Sequence, residues 1–232
     1  PSAIAADGHV SLVRPKRKYV MPRALELSEI AATVEAFRQG AKNAKMAGFD
    51  GVEIHGANGY LPDQFLQTGT NQRTDQYGGS LANRARFLLE ITDAAVEVWG
   101  AGRVGVHLSP RGDAHHMSDA NLKETFSYVA QELGRRKIAF LFLREGQGDG
   151  YLTPELKRIF GGTVIANQGL SQESAMDLID SGGADLVSFG QLFISNPDLV
   201  QRLKNKIPLT APDMSTFYTP GAHGYTDYPS AT

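Results

Sequence analysis

Residues 49–87 read FDGVEIHGANGYLPDQFLQTGTNQRTDQYGGSLANRARF. Val52 and Ile54 begin an apolar run that ends at His55. Asn58 and Tyr60 follow at once, then a long polar loop through Gly78-Gly79-Ser80 into a stretch of helical period. The segment predicts a buried strand, a functional loop and an amphipathic helix from about 81 to 98. His55, Asn58 and Tyr60 fall where the strand gives way to the loop. In α/β barrels the C-terminal ends of parallel strands carry the chemistry.

The same strand-then-helix alternation extends on both sides. Ile30, Val34, Phe37, Ala41 and Ala44 lie on one face of a helix from Leu27, with Ser28 as its expected cap and Gly48 as its stop. Further strands are expected at Arg103–Leu108, Ile138–Leu143, Thr163–Ala166 and Ala184–Phe189. Helices are expected near 121–135, from Thr153-Pro154, near 171–180 and from Asn196-Pro197-Asp198, with Asn121, Ser171 and Asn196 as caps. Residues 1–26 are basic and proline-bearing and read as an arm, with a surface hairpin between the runs His9–Val13 and Tyr19–Met21. Alternation of this kind implies βαβ units and a parallel sheet. Five strands are expected in one domain over 1–232, where a complete (β/α)8 barrel has eight. Closure is therefore expected to need N-terminal strands that lie outside this sequence, and the two open strand edges are a liability until they are covered. The chain starts at Pro1, which fits processing or a missing upstream segment.

Composition narrows the function. The formal net charge is −2, with neither a basic block nor an acidic tail, which argues against nucleic-acid and membrane-surface partners. No apolar run approaches the ~20 residues of a membrane span, and no secretory signal opens the chain. The absence of cysteine removes disulfides, thiol nucleophiles and cysteine-ligated metals, and fits a reducing, cytoplasmic setting. Lys16-Arg17-Lys18 reads as a solvated surface run. His115-His116, near Asp113 and Asp119, lacks a third spaced ligand, so no metal site is expected.

The residues at the strand end suggest a reaction type. His55 and Asn58 are two donors three positions apart at a turn, able to converge on one carbonyl or nitro oxygen and stabilise charge developing there. A tyrosine phenol stays protonated at neutral pH, which suits protonation of a carbanion. Taken singly, H-x-x-N is more often a satisfied histidine beside a turn asparagine, and a lone tyrosine more often packs. The loop Asn71-x-Arg73-x-Asp75-x-Tyr77-Gly78-Gly79-Ser80 followed by Asn83-Arg84-x-Arg86-Phe87 reads as structural work that holds a rigid platform beside His55.

H-G-A-N-G-Y-L followed by N-x-R-x-D-x-Y-G-G-S-x-x-N-R-x-R-F resembles the old yellow enzyme family, closest to its bacterial ene-reductases, N-ethylmaleimide reductases and nitrate-ester reductases. P-R-A-L-E at 22–26, F-I-S-N-P-D-L at 193–199 and H-G-Y-T-D-Y-P at 223–229 extend the likeness along the chain. The resemblance implies an FMN-containing (β/α)8 barrel, reduced by NAD(P)H, that passes hydride to an electron-poor alkene, a nitro compound or a nitrate ester. It implies that His55 and Asn58 hold the substrate oxygen, that Tyr60 protonates the α-carbon, and that Tyr218 lines the substrate pocket. It places His107, Asn167, Gln168, Gly169, Gly190 and Gln191 around FMN. Many relatives carry arginine at positions 107 and 191 and glycine at 168, where this chain has His107, Gln191 and Gln168. The alternatives are a catalytically incompetent half-barrel that folds only with its missing partner segment and acts as a structural subunit, and a phosphate-binding barrel enzyme without flavin; a complementary N-terminal barrel segment or a second copy of the chain is the expected protein partner. The flavin-free enzyme is disfavoured because the strand ends offer His55, His107, Arg144, Glu145 and Gln191 but no lysine for a Schiff base.

Overall fold

The structure is a computed structural model that describes residues 1–10, 15–112 and 114–231. Five strands form one parallel sheet in chain order: β1 Val52–Gly56, β2 Val104–Leu108, β3 Phe140–Arg144, β4 Thr163–Asn167 and β5 Leu186–Val187. Between and around them run α1 Leu27–Met46, α2 Leu61–Leu66, α3 Leu81–Trp99, α4 Leu122–Arg135, α5 Thr153–Phe160, α6 Gln172–Asp180, α7 Gln191–Ser195 and α8 Leu199–Asn205. Parallel neighbours in sequence order, each joined through a helical crossover, are the units from which a (β/α)8 barrel is made.

One face of the sheet is covered by helices. Ile54, Val106, Leu141, Leu143 and Val164 point into it and meet Phe87, Leu88 and Ile91 of α3 and Phe126, Val129 and Leu133 of α4. The spacing of those helical residues puts them on one side of each helix. The other face carries Glu53, His55, His107, Phe142 and Ile165 and is only partly covered. A second, smaller cluster of Ala166, Leu170, Ala175, Leu178 and Ala184 seats α6 at the far end.

The polar loop does the structural work its composition suggested. Asn71 donates to the carbonyls of Phe65 (2.5 Å) and Tyr77 (2.7 Å). Arg73 pairs with Asp75 at 2.5 Å, and Ser80 accepts the Asn83 N–H at 3.3 Å to cap α3. Arg84 is buried and donates to the Leu66 carbonyl, the Gly79 carbonyl and Thr125. Asn121 and Ser171 accept helix N–H groups at the starts of α4 and α6, as expected.

Four expectations are corrected. The loop after β1 contains a helix, α2, opened by Pro62 in its first turn. α1 starts one residue before Ser28, and the Glu29 carboxylate accepts the Glu26 N–H at 2.8 Å in place of a serine cap. β5 is two residues long; backbone bonds to β4 continue just past it, from the Asp185 N–H to Val164 and from the Ser188 N–H to Ala166, and side chains add to them, Asp185 accepting the Val164 N–H and Asn167 donating to the Ser188 carbonyl. Asn196 does not cap the last helix, which begins at Leu199 after Asp198. Its amide instead ties α7 to the tail, donating to Leu192 and Thr210 and accepting from the Thr210 N–H. In the N-terminal arm a single antiparallel bridge joins His9 to Lys18. The remainder of the expected first run, residues 11–14, lies outside the described residues. Among the described residues no helix is long and apolar enough to cross a membrane.

Arg84 satisfies the buried Leu66 carbonyl and the buried Thr125 hydroxyl at once, so Arg84→Met is expected to destabilise the chain by about 2–3 kcal/mol. Urea unfolding of the two proteins measures it; a change below ~0.5 kcal/mol, the size of an ordinary surface substitution, would contradict this role.

Candidate active site

The turn after β1 is clamped from below. Asn58 and Gly59 both take positive φ, 58° and 74°. Asparagine tolerates that region better than most side chains, and glycine has no Cβ to strain. At Gly59 a Cβ would also lie 3.0 Å from the Ala114 carbonyl oxygen. Asp63, in the first turn of α2 and 1% exposed, accepts the Gly59 N–H at 2.9 Å and the Gln67 amide at 2.8 Å. Ser109, just past β2, donates weakly to Asp63 at 3.4 Å and accepts the Asn58 N–H at 2.8 Å. Burial pushes the Asp63 carboxyl up to about 6, against the opposing pull of the Gly59, Gln67 and Ser109 donors. Neither Asp63 nor Ser109 stood out in the sequence. The signal was the proline beside Asp63, which marks a helix start where an acidic side chain can turn back on the loop.

His55 lies opposite His107 in the β1–β2 register, with the two Nδ1 atoms 3.2 Å apart. The Tyr60 ring meets His55 edge-on at 5.2 Å, and Phe142 meets His107 at 4.3 Å. Burial lowers the His107 pKa to about 4, helped by His55 and by the positive charge of Arg144. His107 is therefore neutral at physiological pH. One Nδ1 of the pair must carry the shared proton and the other must accept it. If His55 presents Nε2–H outward, His107 donates from Nδ1 and its Nε2 is a lone-pair acceptor. That Nε2 is buried and has no partner among the described residues.

Arg144, at the end of β3, donates from Nη1 to the Asn58 side-chain oxygen at 2.7 Å. It also lines a cavity of about 400 Å³ with Asn167, Gln168, Gly169, Leu170 and Ser188–Leu192. Asn167 donates to the Ser188 carbonyl at 2.8 Å, and Gln168 and Gly169 have φ of 96° and 66°. The N–H groups of Gln168, Gly169 and Leu170 have no acceptor among the described residues. The lining includes one arginine and no carboxylate. This donor set fits a phosphate.

The structure thus gathers the sequence-selected residues into two groups. His55, Asn58, Tyr60 and His107 meet at the ends of β1 and β2, and Asn167, Gln168, Gly169, Gly190 and Gln191 surround the cavity at β4 and β5. Arg144, which the sequence showed only as a strand-end residue, touches both. Tyr218 stands apart, exposed in the tail, its N–H donating to the Tyr225 hydroxyl at 2.5 Å. Among the described residues no hydrogen bond or ring contact joins it to His55, Asn58 or Tyr60. His115 packs against Tyr19 and Tyr60. Among the described residues no three side chains form a metal-ligand cluster. Asp113 and the His116 side chain lie outside them.

A sequence model of the "NADH:flavin oxidoreductase / NADH oxidase family" matches residues 2–210, and the chain belongs to that family. Among similar proteins is one from Leishmania infantum named "Probable flavin mononucleotide-dependent alkene reductase". It is 42% identical over 240 residues, a span of 99% of this chain and 65% of that protein. 12-Oxophytodienoate reductase 7 of Oryza sativa subsp. japonica is 44% identical over 236 residues, 91% of this chain and 59% of the reductase. In structure, the old yellow enzyme homologue of Zymomonas mobilis superposes with a TM-score of 0.95 at 41% identity, covering 99% of this chain and 67% of that one. Morphinone reductase in complex with tetrahydroNAD gives 0.94 at 43% identity, covering 100% and 66%. The five βα units are thus part of an old yellow enzyme (β/α)8 barrel, and the chain spans roughly three fifths to two thirds of these relatives.

Because the folded Asp63 carboxyl titrates higher than an ordinary aspartate, its contribution to stability is present below about pH 4 and is lost as pH rises through about 6. Asp63→Asn removes that titration. Chemical denaturation from pH 4 to 7 is expected to show the variant gaining on the wild type as pH rises; parallel curves would contradict the assignment.

Proposed function

We propose that this chain forms the catalytic part of an FMN-dependent oxidoreductase. It would use NAD(P)H to reduce activated C=C bonds of α,β-unsaturated carbonyl or nitro compounds, or nitrate esters. The observation that carries this reading is the His55–Asn58–Tyr60 turn, held rigid at a strand end on the same sheet edge as the donor-lined cavity. Gln168, Gly169, Gly190 and Gln191 would hold the FMN phosphate, with Asn167 bracing Ser188. His107 would face the flavin through Nε2. FMN, when bound, supplies the hydride.

The protein's own part follows from the geometry. His55, as the Nε2–H tautomer, and the Asn58 amide nitrogen donate to the substrate's carbonyl or nitro oxygen. Two donors there draw electron density from the conjugated bond and stabilise the charge that builds on oxygen as the β-carbon is reduced. Arg144 occupies the Asn58 oxygen, which fixes the amide with its nitrogen toward substrate. The Tyr60 phenol, beside His55, delivers the proton to the α-carbon. A role for Tyr218 as a pocket aromatic rests on the resemblance alone. A cytoplasmic location fits the cysteine-free composition.

The half-covered sheet favours a second reading, in which activity requires a complementary segment. β1 and β5 are the sheet's outer strands, and a groove of about 360 Å³ runs along β1 between Phe37, Ala41, Val52 and Ile54.

The visible spectrum of the purified chain with added FMN tests both readings. A yellow complex that bleaches with NAD(P)H and recovers with a small α,β-unsaturated ketone supports the first. Colour only after a complementary barrel segment is added supports the second, and no flavin uptake in either case overturns both. In the enzyme, Tyr60→Phe is expected to slow reoxidation by the ketone about a hundredfold while leaving reduction by NAD(P)H unchanged. Stopped-flow absorbance separates the two half-reactions.

A further inference from the structure

We infer that Arg144 supplies the positive charge that meets the anionic groups of the flavin nucleotide in this chain, a role His107 and Gln191 leave open; this rests on the flavin reading above. Three observations carry it.

The first is position. Arg144 follows Phe142 by two residues, so both side chains leave the same face of β3, and Phe142 is in register with His107. Arg144 therefore stands one layer above the histidine pair. It spans from Asn58 at 2.7 Å to the cavity lined by Gln168, Gly169, Gly190 and Gln191.

The second is its missing counterion. The half-buried Arg73, Arg136 and Arg111 each have a carboxylate, at 2.5, 2.7 and 3.2 Å. Among the described residues no carboxylate lies within ion-pair distance of Arg144, and one N–H goes to Asn58. The remaining guanidinium donors are free for a ligand. A partly desolvated cation without a partner gains most from an anion.

The third is what its neighbours cannot do. With His55 donating toward substrate, His107 turns a lone pair outward at Nε2 and accepts an N–H; it does not donate to an anion. Gln191 is neutral. The His107 pKa is lowered first by burial, then by His55 and then by the charge of Arg144.

The test is flavin affinity, read by quenching of flavin fluorescence, for wild type, Arg144→Gln, Arg144→Lys, and Arg144→Gln combined with His107→Arg. Each is titrated with FMN and with riboflavin, and far-UV circular dichroism checks the fold. Arg144→Gln is expected to weaken FMN roughly ten- to a hundredfold, with lysine and the relocated arginine each restoring part of the loss. Riboflavin spared by Arg144→Gln supports a contact to the anionic phosphate; riboflavin, which carries no anionic group in its oxidised form, weakened equally overturns the inference. Unchanged FMN affinity in Arg144→Gln overturns the inference. So does a loss that neither cation restores, which would mark a structural role. A wild type that binds no flavin, alone or with a complementary segment, overturns the flavin reading and this inference with it.

Discussion

The parallel register that sets His55 opposite His107 constrains the rest of the site. In a parallel pair, residues in register project from one face, and here the two Nδ1 atoms come within 3.2 Å. Two imidazolium rings cannot share that distance in a partly desolvated place, so the pair holds one proton between the two Nδ1 atoms. The tautomer of one ring then dictates that of the other. A His55 that donates to substrate forces a His107 that accepts. The same row continues through Phe142 and Ile165, so the sheet is polar at β1–β2 and apolar further on.

Glu53 shares the face of the histidine pair, its carboxylate 3.9 Å from His107 Nδ1, but the two buried carboxylates near the site are turned away from it. Asp63 spends its oxygens on Gly59, Gln67 and Ser109 beneath the turn. Glu145, one residue past Arg144 and so on the opposite face, accepts the N–H groups of Leu152 and Thr153 and the Thr153 hydroxyl. Arg111 pairs with that same Glu145. Acid is thus satisfied by backbone and by a second arginine, and the edge facing the cavity keeps only donors and one unpaired cation. This division explains how a site with two buried carboxylates still presents a positive face to a ligand.

Much of the fold was readable in the residues. The period-3.6 stripes of α1, α3 and α4, the Asn121 and Ser171 caps, and four of the five strands follow from local sequence, because local hydrogen bonding and apolar spacing decide them. One miss is tertiary. Asn196 serves Thr210 fourteen positions on. A side chain's choice between a nearby cap and a distant backbone group is a tertiary fact. The site divides the same way. His55, Asn58 and Tyr60 lie within six residues and announced themselves. Arg144 reaches Asn58 across an intervening strand, a contact no spacing rule displays.

The two halves of the site also differ in how they are supported. The His55–Asn58 turn stands on the large core shared by β1–β4 and α1–α5. The cavity at β4 and β5 stands on the small cluster under α6, beside a two-residue strand whose Leu186 is half exposed. Substrate-side donors must be fixed to within a fraction of an ångström to act on a developing charge, and dense packing provides that. An anion held by several backbone N–H groups needs less, because the ligand itself supplies the missing acceptor and stabilises the loops that bind it by mass action. The weaker end of the sheet is therefore the end where a ligand contributes most to the fold.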